Sequence, residues 1–444
     1  MEKYYIDVPP PTISGKLHIG HLYSYSQGDI IARYQKHLGN EIIYPFCFDN
    51  NGIPTYKLAS KNGLYKPEDI LKFSIEKSKD YKEIFNRSGI NFNGDKSYNT
   101  YDKISQEVCL LSFYDLLKKK LLYKKETDYL YCPITKCSVA ESELTEDGLY
   151  ERSGVKPIIK NGIGYFIDIM NHKEKIIELI NKIEWKPEKF KKRLMIWMKE
   201  IKYDWCISRE RHFGIQIPNE EMTFDTWFIS SLTPQITYSN YIGKATLDIP
   251  IFDLRYQSHD IIRTWALFTI IKSLYHNNQE PWKTILITGH AISNDGDKFS
   301  KTKGNSKDVK YYIDKFGENG IRYWSLKNSI GNDTIVDEEM MKMGWKIKNK
   351  FENAKKFIQY QIDNNFHGEN EEYYLKYIEV KDEIIKEMNC LNYDKSINLI
   401  YEFLWKTFCD KWIEQSKKES ICFTLNKIII DFQPLFSVFF NVNN

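Results

Sequence analysis

The apolar and polar positions of the first fifty residues change period twice. Residues 4–8 (Tyr-Tyr-Ile-Asp-Val) predict a strand that stops at Pro9-Pro10-Pro11, because proline has no N–H to give to a ladder. After Gly15, residues Leu22, Ile30, Ile31, Tyr34 and Leu38 follow a helical repeat, and Gly39 stands where a C′ glycine would close it. Residues 41–46 (Glu-Ile-Ile-Tyr-Pro-Phe) return to strand character. Strand, helix and strand in so short a span predict a βαβ unit, and so a parallel sheet with a right-handed crossover. Residues 121–205 are more mixed, with Lys/Glu-rich helical stretches at 171–184 and 187–203. A strand is predicted at 284–288 (Thr-Ile-Leu-Ile-Thr), followed by a polar Gly/Lys loop and a helix from about Ser306. From about residue 335 the pattern is helical to the last residue, with Trp345, Phe351, Ala354 and Phe357 predicted on one buried face.

With 444 residues, 42% of them hydrophobic, the chain can bury two or three packed domains. A mean hydropathy of −0.51 and the lack of an apolar run of about 18 residues argue against a membrane partner. The opening Met-Glu-Lys-Tyr-Tyr-Ile-Asp has neither the basic nor the apolar region of a secretory leader. Eight cysteines without a disulfide-like spacing fit a reducing compartment, so a cytoplasmic location is expected. A net charge of +3 and a pI near 8.1 permit a nucleic-acid partner without arguing for one, since clustering matters more than the total.

The chemistry concentrates in separated segments. In Pro9-Pro10-Pro11-Thr12-Ile13-Ser14-Gly15-Lys16-Leu17-His18-Ile19-Gly20-His21, two imidazoles three apart at a helix start face the same side. Free N–H groups and the positive helix end make that a place for phosphate, and Gly20 lets a nucleotide approach the backbone. By itself the pair reads equally well as a surface pair or a chance metal-like spacing. Lys298-Phe299-Ser300-Lys301-Thr302-Lys303-Gly304-Asn305 carries three lysines that can neutralise a leaving pyrophosphate, although such a loop alone reads as a solvated turn.

Together and in this order, His-Ile-Gly-His and Lys-Phe-Ser-Lys-Thr resemble the HIGH and KMSKS motifs of class I aminoacyl-tRNA synthetases. Pro-Pro-Pro-Thr-Ile-Ser-Gly before the first motif is similar to valyl-tRNA synthetases, particularly those of archaeal type. So is Phe48-Asp49-Asn50-Asn51-Gly52-Ile53-Pro54-Thr55. Asp225-Thr226-Trp227-Phe228-Ile229-Ser230-Ser231, Ser258-His259-Asp260-Ile261-Ile262-Arg263-Thr264-Trp265 and Asp204-Trp205-Cys206-Ile207-Ser208-Arg209 match the same family. The resemblance implies an α/β fold: a Rossmann-type parallel-sheet catalytic domain with a short connective insert, followed by an all-α C-terminal helical bundle. Its divisions are a first catalytic half at 1–120, a reduced insert at 121–203 and a second half at 204–295. A KMSKS-type loop and stem-contact region at 296–334 and an anticodon-binding-like bundle at 335–444 complete it.

The implied activity is ATP-dependent activation of valine and its transfer to the terminal adenosine of tRNA, with ATP and Mg2+ as cofactors. On this resemblance His18, His21, Lys298 and Lys301 are catalytic, while Gly20, Asp260, Gly289 and Ser300 bind ATP. Asp49 takes the α-ammonium, and Pro10, Pro11, Trp227 and Ile261 wall a small apolar pocket. A strand-end turn aspartate and ordinary core aromatics are the plain alternatives for these residues. Expected partners are a valine tRNA, the amino acid and ATP, with the protein a monomer. Lys342, Lys346, Lys348, Lys350, Lys355 and Lys356 form either a tRNA-backbone contact or a solvated face.

The sequence departs from the family in several places. Leu130-Tyr131-Cys132-Pro133 and Phe166-Ile167-Asp168-Ile169 match the entry and exit of the editing domain but lie only about 35 residues apart, too close for an independent domain. The family's C-terminal coiled-coil arm is not expected either. Editing is then missing, or supplied by a separate factor. Cys132 and Cys137 look like remnants of a zinc knuckle, but at Cys-x4-Cys spacing with no second pair, so zinc is not expected. Ser258 stands where the family usually has Gly, and Thr288 where many members have His. Two other readings stay open: activation of an amino acid for a side pathway, and a tRNA-binding regulator without catalysis. The intact set of His18, His21, Asp49, Lys298 and Lys301 speaks against the second.

Overall fold

The computed structural model describes residues 2–90, 93–139, 144–145, 147–150, 153–211, 213–293, 307–364 and 366–442, except the side chains of 93–95. Its centre is a five-stranded sheet in the order Glu41–Ile43, Lys3–Asp7, Phe252–Ser258, Trp282–Thr288, Glu184–Lys186, with every neighbouring pair parallel. The predicted βαβ unit is present: Lys3–Asp7 leads through the helix Ile19–His37 to Glu41–Ile43, and Gly39 closes that helix at φ +91°.

The helical reading of 171–184 and 187–203 is right for Lys173–Lys182 and Lys189–Glu200. It misses the three-residue strand between them. Glu184–Lys186 extends the central sheet against Thr284–Leu286, with Trp185 buried. The rest of the insert region is a four-stranded antiparallel sheet, ordered Cys137–Val139, Leu122–Cys132, Ile158–Ile167, Trp205–Cys206.

The helix Ile19–His37 is buried on nearly all sides because the sheet lies on one face and the C-terminal helices on another. Asp29 pairs with Arg33 at 2.8 Å and with the fully buried Arg322, whose guanidinium also reaches the carbonyls of Phe439 and Gly89 at 3.0 and 3.2 Å. Tyr34 and Gln27 are bonded to Asn389 and Tyr393 at 2.7 and 2.6 Å, so the bundle docks on the same helix that begins at the His-x-x-His pair.

From Glu338 the described chain is helical to Phe439, in segments separated by short turns. The buried stripe of Glu338–Asp363 is Met341, Gly344, Ile347, Phe351, Ala354 and Ile358, with Phe351 stacked on Phe436 at 4.3 Å. Trp345, expected on that face, is 56% exposed, since it lies one residue (about 100° of rotation) past the Gly344 position of the stripe. Among the described residues no helix is long and apolar enough to cross a membrane.

One buried network has the order of a hydrolytic triad. Ser112 Oγ lies 2.8 Å from His276 Nε2, His276 Nδ1 lies 2.7 Å from Asp115, and the Lys272 ammonium donates to Ser112 at 2.7 Å. No substrate reaches a serine buried between helices Lys103–Lys118 and Leu267–Asn277. Burial holds His276 down to about 4 and Lys272 well below its usual range. The network joins two helices.

Candidate active site

The candidate residues collect beyond the carboxyl ends of three adjacent parallel strands, Lys3–Asp7, Phe252–Ser258 and Trp282–Thr288, where open α/β sheets bind ligands. The first strand ends in the proline segment, which neither stays free nor forms a regular strand. Asp49 N–H donates to the Pro11 carbonyl at 3.1 Å, and Ile13 N–H to the Asp49 carbonyl at 3.0 Å. Tyr81 OH holds the following turn through the Gly15 carbonyl at 2.6 Å. Pro10 is half-buried and Pro11 buried beside this short ladder.

Asp49 itself is buried. Its carboxylate accepts from Asn51 N–H at 3.1 Å, Thr100 Oγ1 at 3.1 Å and Ser230 Oγ at 3.5 Å. Burial pushes its carboxyl up to about 6, against these hydrogen bonds, which favour the ionised form. Among the described residues no cation is paired with Asp49, and a buried carboxylate so placed can receive an ammonium group. Ser230 ends the short helix Thr226–Ser230, which Asp225 caps by accepting from Trp227 N–H at 2.7 Å. That brings the half-buried Trp227 into the neighbourhood of Asp49. The Ser230 carbonyl accepts from Trp265 Nε1 at 2.6 Å, tying in the turn that carries half-buried Ile261. Thr100, Ser230 and Asn51 had no signal of their own in the sequence.

At the helix start, His18 is the N-cap residue and its N–H donates to His21 Nδ1 at 3.2 Å. The neutral His21 ring therefore carries its proton on Nε2, where it is a donor. The two rings lie 4.0 Å apart. A Cβ on Gly20 would come within 3.0 Å of His18 Nδ1 and 3.8 Å of the Ala291 side chain. Glycine at 20 thus makes room for the His18 ring.

The other two strand ends carry Asp260 and His290. Asp260 accepts from Ser258 Oγ, so the hydroxyl that stands in place of the family's glycine is bonded to the neighbouring carboxylate. His290 Nε2 is 3.3 Å from Asp260 Oδ1. Thr288 is buried and bonded to Ser24 at 2.8 Å. Asp333 accepts from the His290 amide at 2.7 Å and from His259 Nε2 at 2.9 Å. These bonds outweigh burial and hold Asp333 below the usual carboxylate range. The sequence reading quoted His259 within its motif without giving it a role, and named neither His290 nor Asp333.

Gly289 has a packing reason. A Cβ there would lie 1.8 Å from the Asn332 carbonyl oxygen, a backbone atom that no rotamer change moves away. Gly289→Ala is expected to cost roughly 3 kcal/mol by overpacking. Denaturant melts would read this, and an unchanged midpoint would contradict it.

Lys298, Ser300 and Lys301 lie outside the described residues. The positions that flank them do not. Ala291–Ile292 pairs with Thr334–Ile335 close to Gly20, and Asp308 is bonded to Lys16 at 2.8 Å, two residues before His18. Cys132 and Cys137 face each other across a tight turn, 3.3 Å from Ser153 Oγ and 3.0 Å from Thr135 Oγ1 respectively.

Known proteins are similar to this chain in sequence and fold. The family described as tRNA synthetases class I (I, L, M and V) matches residues 1–221 and 216–337. The valine–tRNA ligase of Ehrlichia canis (strain Jake) is 26% identical over 628 positions, covering 94% of this chain and 77% of the relative. That of Rickettsia akari (strain Hartford) is 24% identical, covering 94% and 79%. These aligned spans are longer than the 444-residue chain, so the relatives carry residues within them that this chain does not. Among solved structures, the agnB2 LeuRS of Agrobacterium radiobacter K84, a ternary complex with tRNA and LeuAMS, has a TM-score of 0.81 at 14% identity over 99% of this chain and 83% of its own. The Mycobacterium tuberculosis methionyl-tRNA synthetase bound by methionyl-adenylate has a TM-score of 0.79 at 18% identity over 98% and 92%. The sheet order, the motifs and the matched span agree: the chain belongs to the class I tRNA synthetases of the isoleucine, leucine, methionine and valine group.

Proposed function

We propose that the chain activates valine with ATP and passes it to the terminal adenosine of a valine tRNA. The observation that carries this reading is Asp49: a buried, hydrogen-bonded carboxylate tied to the proline segment and to the Trp227 helix. It receives the α-ammonium, while Pro10, Pro11, Trp227 and Ile261 bound the side chain. The substrate carboxylate then bonds to the α-phosphorus of ATP as the bond to pyrophosphate breaks. His18 and His21 meet the phosphates at the helix start beside Gly20, Asp260 and Gly289 bind the nucleoside end, and Ser300 joins Lys298 and Lys301 around the departing pyrophosphate. Mg2+ bound to ATP would supply further neutralisation of the phosphate charge. In the second step a ribose hydroxyl of the tRNA, the 2′-OH in this class, attacks the acyl carbon and AMP leaves. All of this is positioning and electrostatics, with no enzyme nucleophile.

The pH dependence follows from the Asp49 carboxyl. In the free site it titrates at about 6, and only its ionised form holds an ammonium. The KM for valine is therefore expected to rise as pH falls through 6, approaching about tenfold per unit below it. An Asp49-independent, flat KM between pH 5 and 7.5 would contradict the assignment.

Fidelity is the second consequence. Residues 133–157 join the two long insert strands and leave no length for an independent hydrolytic domain. An apolar pocket separates valine from threonine by only about 10²-fold, a figure established for valine enzymes themselves. Purified protein charging total tRNA is expected to make valyl-tRNA and to accumulate threonyl-tRNA at about that ratio. Discrimination beyond about 10³ without an added factor would defeat the claim that editing is missing.

In the helical part, Lys342, Lys348, Lys350 and Lys355 are bonded to Glu339, Glu352, Asp410 and Gln433. This engages four of the six candidate lysines locally, and leaves Lys346 and Lys356, on the exposed Trp345 side, as the better tRNA-backbone contacts.

A further inference from the structure

We propose that His259, His290 and Asp333 bind one divalent transition-metal ion of the zinc class, and that this ion competes with the nucleoside end of ATP. The three donors come from separate parts of the chain. His259 lies in the turn after Phe252–Ser258, His290 follows Trp282–Thr288, and Asp333 directly precedes Thr334–Ile335. Their ligand atoms all lie within 4.8 Å of one another. His259 Nε2 is 2.9 Å and His290 Nδ1 4.0 Å from the same Asp333 oxygen. Donors around a tetrahedral ion with bonds of about 2.0–2.1 Å sit roughly 3.3–3.5 Å apart, so shifts of about half an ångström bring each histidine nitrogen to that spacing from Asp333. Two imidazoles and one carboxylate select zinc, cobalt or nickel over magnesium or calcium, and leave a fourth position for water.

Two further contacts orient the ligands. Asp260 Oδ1 stands 3.3 Å from His290 Nε2, which leaves Nδ1 on the Asp333 side. A carboxylate on the outer nitrogen of a ligand histidine is the arrangement that fixes its tautomer and raises its basicity. The His259 ring lies nearly parallel to Phe190, 5.8 Å away at an interplanar angle of 9°. Neither histidine is needed for the phosphate chemistry at His18 and His21.

The competition rests on the proposed place of Asp260 at the nucleoside end of ATP, where its carboxylate accepts from the ribose hydroxyls. Metal binding engages Asp260 through His290, and ribose binding needs the same oxygens. The two ligands therefore oppose each other, and by linkage the opposition is reciprocal.

The test uses the full chain, stripped of metal, titrated with Co2+ alone. One equivalent is expected to give visible ligand-field absorption that Zn2+ displaces. His259→Gln and His290→Gln, each checked for unchanged circular dichroism, should each weaken Co2+ binding at least about tenfold. Cys132→Ser/Cys137→Ser should leave it unchanged. Saturating adenosine, which carries the ribose without chelating phosphates, should raise the apparent Kd for Co2+ several-fold. No absorption, or absorption that survives in both histidine variants, overturns the site, and the His–Asp bonds are then only structural. Binding that adenosine leaves untouched overturns the competition. Failure of the synthetase reading would show separately, as absent amino-acid-dependent pyrophosphate exchange when the protein stripped of transition metal is supplied with Mg-ATP.

Discussion

Asp49→Asn is expected to raise the KM for valine in pyrophosphate exchange by about 10²–10³-fold, with the KM for ATP little changed. Removing one member of a buried charge pair costs about 3–5 kcal/mol, because the other charge is left uncompensated in a dry site. Asparagine keeps the size of the side chain, and the Thr100 and Ser230 hydroxyls can rotate to meet an amide. The variant should also melt no lower than the parent. Burial raises the Asp49 carboxyl to about 6 in the folded chain, above the ordinary value of 3.8, so at pH 7 its ionised form opposes folding. Loss of binding without loss of stability separates a substrate receptor from a structural aspartate. A KM within threefold of the parent, or a large fall in melting temperature, would place Asp49 in the second class.

The other large effect is at the helix start. His21→Asn preserves an acceptor near the Nδ1 position that receives the His18 N–H, and deletes the Nε2 donor. Adenylate formation should slow by about 10²–10³-fold in kcat, the usual loss when one preorganised donor to a developing charge is removed. Valine binding, measured without ATP, should not move. His21→Gln, which places its amide nearer the Nε2 position but forfeits the cap, should recover part of kcat while losing stability. If neither variant lowers kcat, the imidazole is a helix cap and no more.

Much of this site was legible because its chemistry is local in sequence. His18, Gly20 and His21 occupy one helix turn, and Asp49 follows the short strand Pro45–Phe48 just after the βαβ unit, so residue spacing alone places them close together. What the sequence hid depends on distant chain segments. The Asp333 carboxylate meets residues 43 and 74 positions away, and no periodicity reports that pairing. Glu184–Lys186 is only three residues long and flanked by helices, so the helical pattern on either side conceals it. Gly20 was read as an opening for a nucleotide, and Gly289 as an ATP-binding position by resemblance. The structure gives each a neighbour in the chain itself, the His18 ring and the Asn332 carbonyl, which a spacing argument cannot supply. Trp345 shows the limit of pattern in helices: four large or small apolar positions suggested a stripe, but the stripe that packs runs through Gly344 instead.

The central claim is amino-acid activation specific for valine, and amino-acid-dependent ATP–pyrophosphate exchange across all twenty amino acids tests it most directly. The account predicts exchange that is fastest with valine, weaker by about 10² in kcat/KM with threonine, and lowered about 10²–10³-fold for both by Asp49→Asn at subsaturating amino acid. Exchange driven best by a different amino acid, or none with any amino acid from a folded protein that binds ATP, would contradict it.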